Sequence, residues 1–168
     1  MNDPNPHLVE RMQGHRLSIF AEMSTLALET GAINLGQGFP DTDGPSEVLD
    51  AAVAAIRAGH NQYPPDRGIP ELRQAVADHQ RRFYGLDVDP ADVMVSTGAS
   101  EALGASILAL VEPGQEVVVF EPYFDLYAAI IELAGGVRRS VTLRAPDYSF
   151  DEADLEAAVG PDTRLILL

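Results

Sequence analysis

Two short segments carry residue types that could grip a phosphorylated aromatic molecule. Ser96-Thr97-Gly98-Ala99-Ser100-Glu101 follows an apolar run and opens a helical pattern. Its small residues let the backbone come close to a ligand. The free N–H groups and positive dipole end of a helix start suit a phosphate. The hydroxyls of Ser96, Thr97 and Ser100 could add hydrogen bonds, although an ordinary capped turn between strand and helix uses the same residues. The segment lacks the Gly-Lys-Ser/Thr of an ATP loop and the three glycines of a dinucleotide loop. Glu121-Pro122-Tyr123-Phe124-Asp125 stands at the next strand's exit. Its two aromatics could stack on a flat ring or pack against a neighbouring helix. Together the two loops would hold the charged end and the face of one cofactor.

An absence bounds the chemistry as firmly. All 11 basic residues are arginines, and the sequence contains no lysine. No side chain here can form a Schiff base, and the α-amino group of Met1 is the one primary amine. No cysteine is present, which excludes disulfides and thiolate metal sites, and no metal is expected. His15, His60 and His79 read as surface or packing residues, and His7 lies in a polar N-terminal stretch.

These loops need a scaffold, and the hydrophobic pattern predicts one. Apolar residues at Leu17, Phe20, Met23, Ala27 and Leu28 mark a helix over 17–30, ended by Gly31. Ile33-Asn34-Leu35 reads as a short strand before the glycine-rich Gly36-Gln37-Gly38-Phe39-Pro40 loop and a turn from Asp41. A helix over 47–58 has Val48, Leu49, Ala52, Val53 and Ile56 on one face, Ser46 as N-cap and Gly59 as its end. Pro70 opens a third helix, with Leu72, Ala75, Val76, His79 and Phe83 inward and Gly85 as its stop. Strands over 93–97, 116–120, 137–143 and 164–168 then alternate with helices over 100–111, 123–134 and 151–159, the last capped by Asp151. Continuous apolar strands separated by helices predict an α/β fold with a mostly parallel sheet and helices on both faces. In open sheets of this kind, ligands bind beyond the carboxyl ends of the strands, where both loops stand.

The composition fits a globular protein: 46% hydrophobic and 22% charged residues over 168 positions, enough for a real core. The net charge of −15 repels phosphate backbones and argues against nucleic acid as a partner. No apolar run has the length of a membrane span, and the N-terminus has no secretory pattern, so a cytoplasmic location is expected. The chain stops on the apolar run Arg164-Leu165-Ile166-Leu167-Leu168, which reads as a buried strand and predicts a truncated sequence.

Four blocks in order carry a resemblance to a family. Ile33-Asn34-Leu35-Gly36-Gln37-Gly38-Phe39-Pro40-Asp41 resembles the N-terminal signature of fold-type I, class I/II pyridoxal-phosphate-dependent aminotransferases. Asn61-Gln62-Tyr63 with Gly68-Ile69-Pro70-Glu71-Leu72-Arg73 is a second block, Val95 to Leu103 a third, and Glu121 to Tyr127 a fourth. The nearest subgroup is the kynurenine, methionine and N-succinyldiaminopimelate aminotransferases. The resemblance implies pyridoxal 5′-phosphate as cofactor, a small amino acid and a 2-oxo acid as substrates, and a homodimer. It implies that Ala99 and Ser100 donate backbone N–H bonds to the cofactor phosphate and that Phe124 stacks on the pyridine ring. Tyr63 would reach the phosphate of the other subunit's cofactor. Gly36 would meet the substrate carboxylate through its backbone, and Phe20 would shape the side-chain pocket. Residues 1–40 would belong to a small domain and 41–168 to the first part of a large cofactor-binding domain. The family's Schiff-base lysine would lie beyond this sequence, so the 168 residues alone are expected to be inactive.

Three rivals share some of these features. A β-lyase or decarboxylating synthase on the same scaffold uses the same cofactor cradle. A non-catalytic paralogue could bind a phosphorylated ligand or a partner. A dinucleotide-binding domain is hinted at by Gly36-x-Gly38, but its third glycine and later acidic residue have no recognisable context.

Overall fold

The computed structural model describes residues 6–14, 18–38, 40 and 42–168. Leu17, Phe39, Asp41 and His15, which the sequence reading used, lie outside these residues. The chain forms two compact units, one of residues 1–19 with 97–168 and one of residues 20–96.

The first unit is built on a parallel sheet. Its strands are β1 (Glu116–Glu121), β2 (Val137–Thr142) and β3 (Thr163–Leu167), in the order β2-β1-β3. Val117 lies beside Arg138 and Leu165, and Val119 beside Ser140 and Leu167. The central strand has a continuous apolar run because both its faces are covered. Val117 and Val119 pack with Ile107, Val111, Ile130 and Ile131 on one face. Val118 and Val141 are also fully buried, and the alternation of side chains along β1 turns Val118 to the opposite face. Helices α4 (Gly98–Leu110) and α5 (Leu126–Leu133) pack on each other, and α6 (Glu152–Ala158) packs on β2. Asp151 caps α6, its carboxylate accepting from the Ala153 N–H at 3.0 Å, as the sequence predicts.

The second unit contains α1 from Phe20 onward (the helix spans Ile19–Thr30), α2 (Ser46–Arg57) and α3 (Pro70–Tyr84). All three predicted helices form, and Gly31, Gly59 and Gly85 follow them.

The structure departs from the sequence expectations at five places. The predicted strand over 93–97 is not a strand: the Val95 N–H donates to the Arg67 carbonyl at 3.1 Å, and no ladder forms there among the described residues. Nor is Ile33–Leu35 a strand, because the Asn34 side chain accepts the Gly36 N–H at 3.0 Å and closes a local turn. Ser46 lies inside α2 and Pro45 takes the N-cap position; the Ser46 hydroxyl donates to Glu47 Oε2 instead. Helix α5 starts at Leu126, which leaves Tyr123 and Phe124 in the preceding loop. Finally, Val48, Leu49, Val53 and Ile56 of α2 and Leu72 and Phe83 of α3 are exposed, and α3 buries Ala77. The periodicity identified an apolar face correctly, but periodicity does not say what covers it.

Candidate functional site

From Thr97 onward the predicted phosphate loop lies in the same unit as the predicted aromatic platform, the one at the start of α4 and the other just before α5, two helices that pack together. Thr97 occupies the N-cap position of α4, and Gly98 follows with φ +77°. Only glycine takes this left-handed conformation without a steric penalty. Space around it is open, since a Cβ built on Gly98 would meet nothing within 4 Å. Ala99 and Ser100 come next, in the first turn, where helix geometry provides no intrahelical acceptor for their N–H groups. The Thr97 side chain makes no capping bond to them. The Thr97 N–H donates to Glu101 Oε2. Hydrogen bonding from Thr97, chiefly from this N–H, holds the Glu101 carboxyl below the usual carboxylate range.

The two aromatics of the second loop divide their tasks. Tyr123 packs on the core cluster, stacks on Tyr127 at 6.3 Å between ring centroids, and lies under the Arg138 guanidinium at 5.4 Å. It therefore takes the packing role that the sequence left open. Phe124 meets Tyr127 edge-on at 6.0 Å and stays 46% exposed. The Tyr127 N–H donates to the Phe124 carbonyl at 3.0 Å and fixes the loop against the start of α5.

The first-turn N–H groups of Ala99 and Ser100, to which the Thr97 side chain does not bond, suit a phosphate, and an exposed aromatic before the neighbouring helix suits a planar ring.

The other predicted residues lie in the second unit. Gly36 sits against α1: a Cβ there would lie 3.6 Å from Met23 Cβ. With Met23, Leu26 and Asn34 it lines a cleft of about 340 Å³. Phe20, on the first turn of α1, is exposed and is not among the residues lining that cleft. Tyr63 is fully exposed beside a cleft of about 790 Å³ that also involves His60, Gln62 and Pro65. His79, read as a surface or packing residue and placed on the inner face of α3, is exposed, its ring tilted 39° against Phe83 at 4.6 Å.

Sequence reasoning missed the work of Asn34 and Glu101. Asn34 donates from Nδ2 to the Ser24 hydroxyl at 3.0 Å while accepting the Gly36 N–H, which ties the glycine loop to α1. The available signal was an Asn two residues before a Gly, a local-turn pattern. Replacing Asn34 by Ala removes both bonds. The expected cost is about 1–2 kcal/mol of local stability, seen as faster amide hydrogen exchange at Gly36. Unchanged exchange would show that the tie is idle.

Comparison with known proteins decides the family. Residues 30–168 match the family described as Aminotransferase class I and II. The chain belongs to that family. Among class I and II aminotransferases it is 47% identical over 164 residues to the "Probable N-succinyldiaminopimelate aminotransferase DapC" of Mycobacterium tuberculosis, covering 95% of this chain and 41% of that protein. It is 42% identical to the methionine aminotransferase of Escherichia coli, covering 90% of this chain and 39% of that protein. The solved structure of N-succinyldiaminopimelate aminotransferase from M. tuberculosis superposes with a TM-score of 0.88, covering 95% of this chain and 42% of that one. Both names fall in the subgroup that the four sequence blocks resemble. The chain thus spans about two fifths of the length of these aminotransferases, and its α/β unit has the fold of the fold-type I members.

Proposed function

We propose that this chain is the N-terminal part of a pyridoxal-phosphate-dependent aminotransferase that moves an amino group from an amino acid to a 2-oxo acid. The observation that carries this reading is an α4 start that the Thr97 side chain does not cap, together with an exposed Phe124, in one unit of a chain from this family. Ala99 and Ser100 bind the cofactor phosphate through their N–H groups, and Phe124 lies against the ring. When bound, the cofactor supplies an electron-withdrawing ring that stabilises charge developing on the amino acid. Gly36 meets the substrate carboxylate through its backbone. Its N–H is held by Asn34, so a carboxylate must share or replace that bond. Phe20 borders the substrate side chain. Tyr63, being fully exposed, is placed to serve a neighbouring subunit's cofactor in a cytoplasmic homodimer. Residues 1–40 belong to a small domain and 41–168 begin the large one.

Assay of the full-length protein with pairs of amino acids and 2-oxo acids tests the reaction. Amino transfer is expected. Elimination to pyruvate and ammonia with no transfer would assign a β-lyase instead. A second test concerns the platform. Phe124→Ala is expected to weaken pyridoxal phosphate binding by about 0.5–1.5 kcal/mol for the lost stacking. Equilibrium dialysis showing equal affinity would remove Phe124 from the site.

A further inference from the structure

We propose that the cleft between α1 and the segment after it receives the side chain of the amino-acid substrate, and that its lining selects an apolar chain over an acidic one. The inference rests on the reading above that Gly36 meets the substrate carboxylate, and it names the substrate class of that same site.

Gly36 lines the cleft of about 340 Å³ that α1 forms with residues 32–36. Small-molecule sites run from about 300 to 1,000 Å³, so this volume suits one side chain rather than a peptide. The side chain of an amino acid begins one carbon from its carboxylate. A carboxylate at Gly36 therefore starts its side chain beside the cleft. The walls are Met23, Leu26 and Ala27 of α1 with Ile33 and Leu35. Met23 and Ala27 stand four residues apart and share a face of α1, and Phe20 is one turn before Met23 on that face. Ile33 and Leu35 leave 86% and 90% of their surface in water. Covering such side chains with an apolar group is favourable in proportion to the area removed from water.

Among the described residues the lining has two polar side chains, and both are engaged within the protein. The Thr30 hydroxyl donates to the Leu26 carbonyl at 2.8 Å. Asn34 donates to the Ser24 hydroxyl and accepts from the Gly36 N–H, both at 3.0 Å. Neither carries a charge. No lysine, arginine or histidine occurs between Leu17 and Ile56, whereas α1 carries Glu22 and Glu29. A substrate with a second carboxylate would lose water around that charge and gain no counter-ion from these walls. An apolar chain meets no such cost.

Initial rates of the full-length protein with glyoxylate as the fixed acceptor test the proposal. The donors are alanine, 2-aminobutyrate, norvaline, norleucine, methionine and glutamate, compared by kcat/KM. The value is expected to rise about two- to four-fold with each methylene added from alanine to norleucine, as apolar area leaves water. Methionine is expected to exceed glutamate by at least about ten-fold. Met23→Arg and, separately, Leu26→Arg bring a cation to the cleft, and each is expected to lower the methionine-to-glutamate ratio about ten-fold. Both positions are exposed, so an arginine stem can lie along the wall with its head in water. A mere loss of stability would lower both rates together and leave their ratio unchanged. Rates that ignore chain length would mean that another part of the protein fills the cleft, and would overturn the proposal. A preference of the unaltered protein for glutamate would also overturn it, as would a ratio unchanged in both variants. Absence of amino transfer from every donor would instead bring down the aminotransferase reading itself.

Discussion

Reduction with borohydride in the presence of pyridoxal phosphate is expected to leave every internal residue of this chain unlabelled. Stable attachment requires a primary amine that condenses with the cofactor aldehyde, and reduction then converts the imine to a secondary amine. Lysine is the side chain that provides such an amine, and the 168 residues contain none. The 11 arginines do not substitute, because a guanidinium stays protonated and delocalised at any pH the protein survives. The α-amino group of Met1 is free to react, so the expected mass label lies on the N-terminal peptide alone. The contrast is all-or-none. Binding without attachment is the expected behaviour under the proposed reading, in which the α4 start and Phe124 hold the cofactor, while no side chain of these 168 residues can bond to it. An adduct on any peptide lacking Met1 would overturn the assignment of this chain as a cradle without an anchor.

The parts of the fold legible in the sequence are those where local pattern and burial coincide. Val117, Val118 and Val119 form a run too apolar for a one-faced strand, and the structure buries all three at the centre of the sheet. Asp151 was readable as a cap because its role depends on the next two residues only. Val95 shows the limit. The run over 93–97 has strand composition, but a strand exists only where another backbone accepts its ladder, and the Val95 N–H finds a loop carbonyl. Composition cannot report that. The α2 residues Val48, Leu49, Val53 and Ile56 show the same limit for helices, since their spacing is amphipathic although they are exposed. At the site, the α4 start and the Phe124 loop were legible because short-range chemistry marks them. The bonds that tune them were not. Glu101 stands outside the standard capping spacing, and Asn34 sat within a segment whose apolar neighbours pointed to a strand.

Gly68→Ala is expected to destabilise the second unit by about 2–5 kcal/mol, combining overpacking with backbone strain. Gly68 opens the second family-like block, is buried, and has φ +94°. An alanine Cβ there would stand 2.4 Å from Val95 Cγ2 and 2.8 Å from Val95 Cβ. The first contact could be relieved by rotating the valine. The second cannot, because Cβ is fixed to the backbone, and that backbone is held by the Val95 N–H bond to the Arg67 carbonyl at 3.1 Å. The substitution must therefore break or bend the bond that joins the 61–69 loop to residues 93–95. The measurement is native-state hydrogen exchange at the Val95 amide, which reports local opening without assuming that the whole chain unfolds in one step. Adding Val95→Ala separates the causes. It removes the 2.4 Å contact but leaves both the 2.8 Å contact and the left-handed backbone, so it is expected to recover only part of the loss. Full recovery would mean that the valine branch alone was responsible and that the backbone at residue 68 tolerates a side chain. An effect of Gly68→Ala below about 1 kcal/mol would mean that Gly68 does not fix this loop in solution, since strain of this kind alone costs about that much.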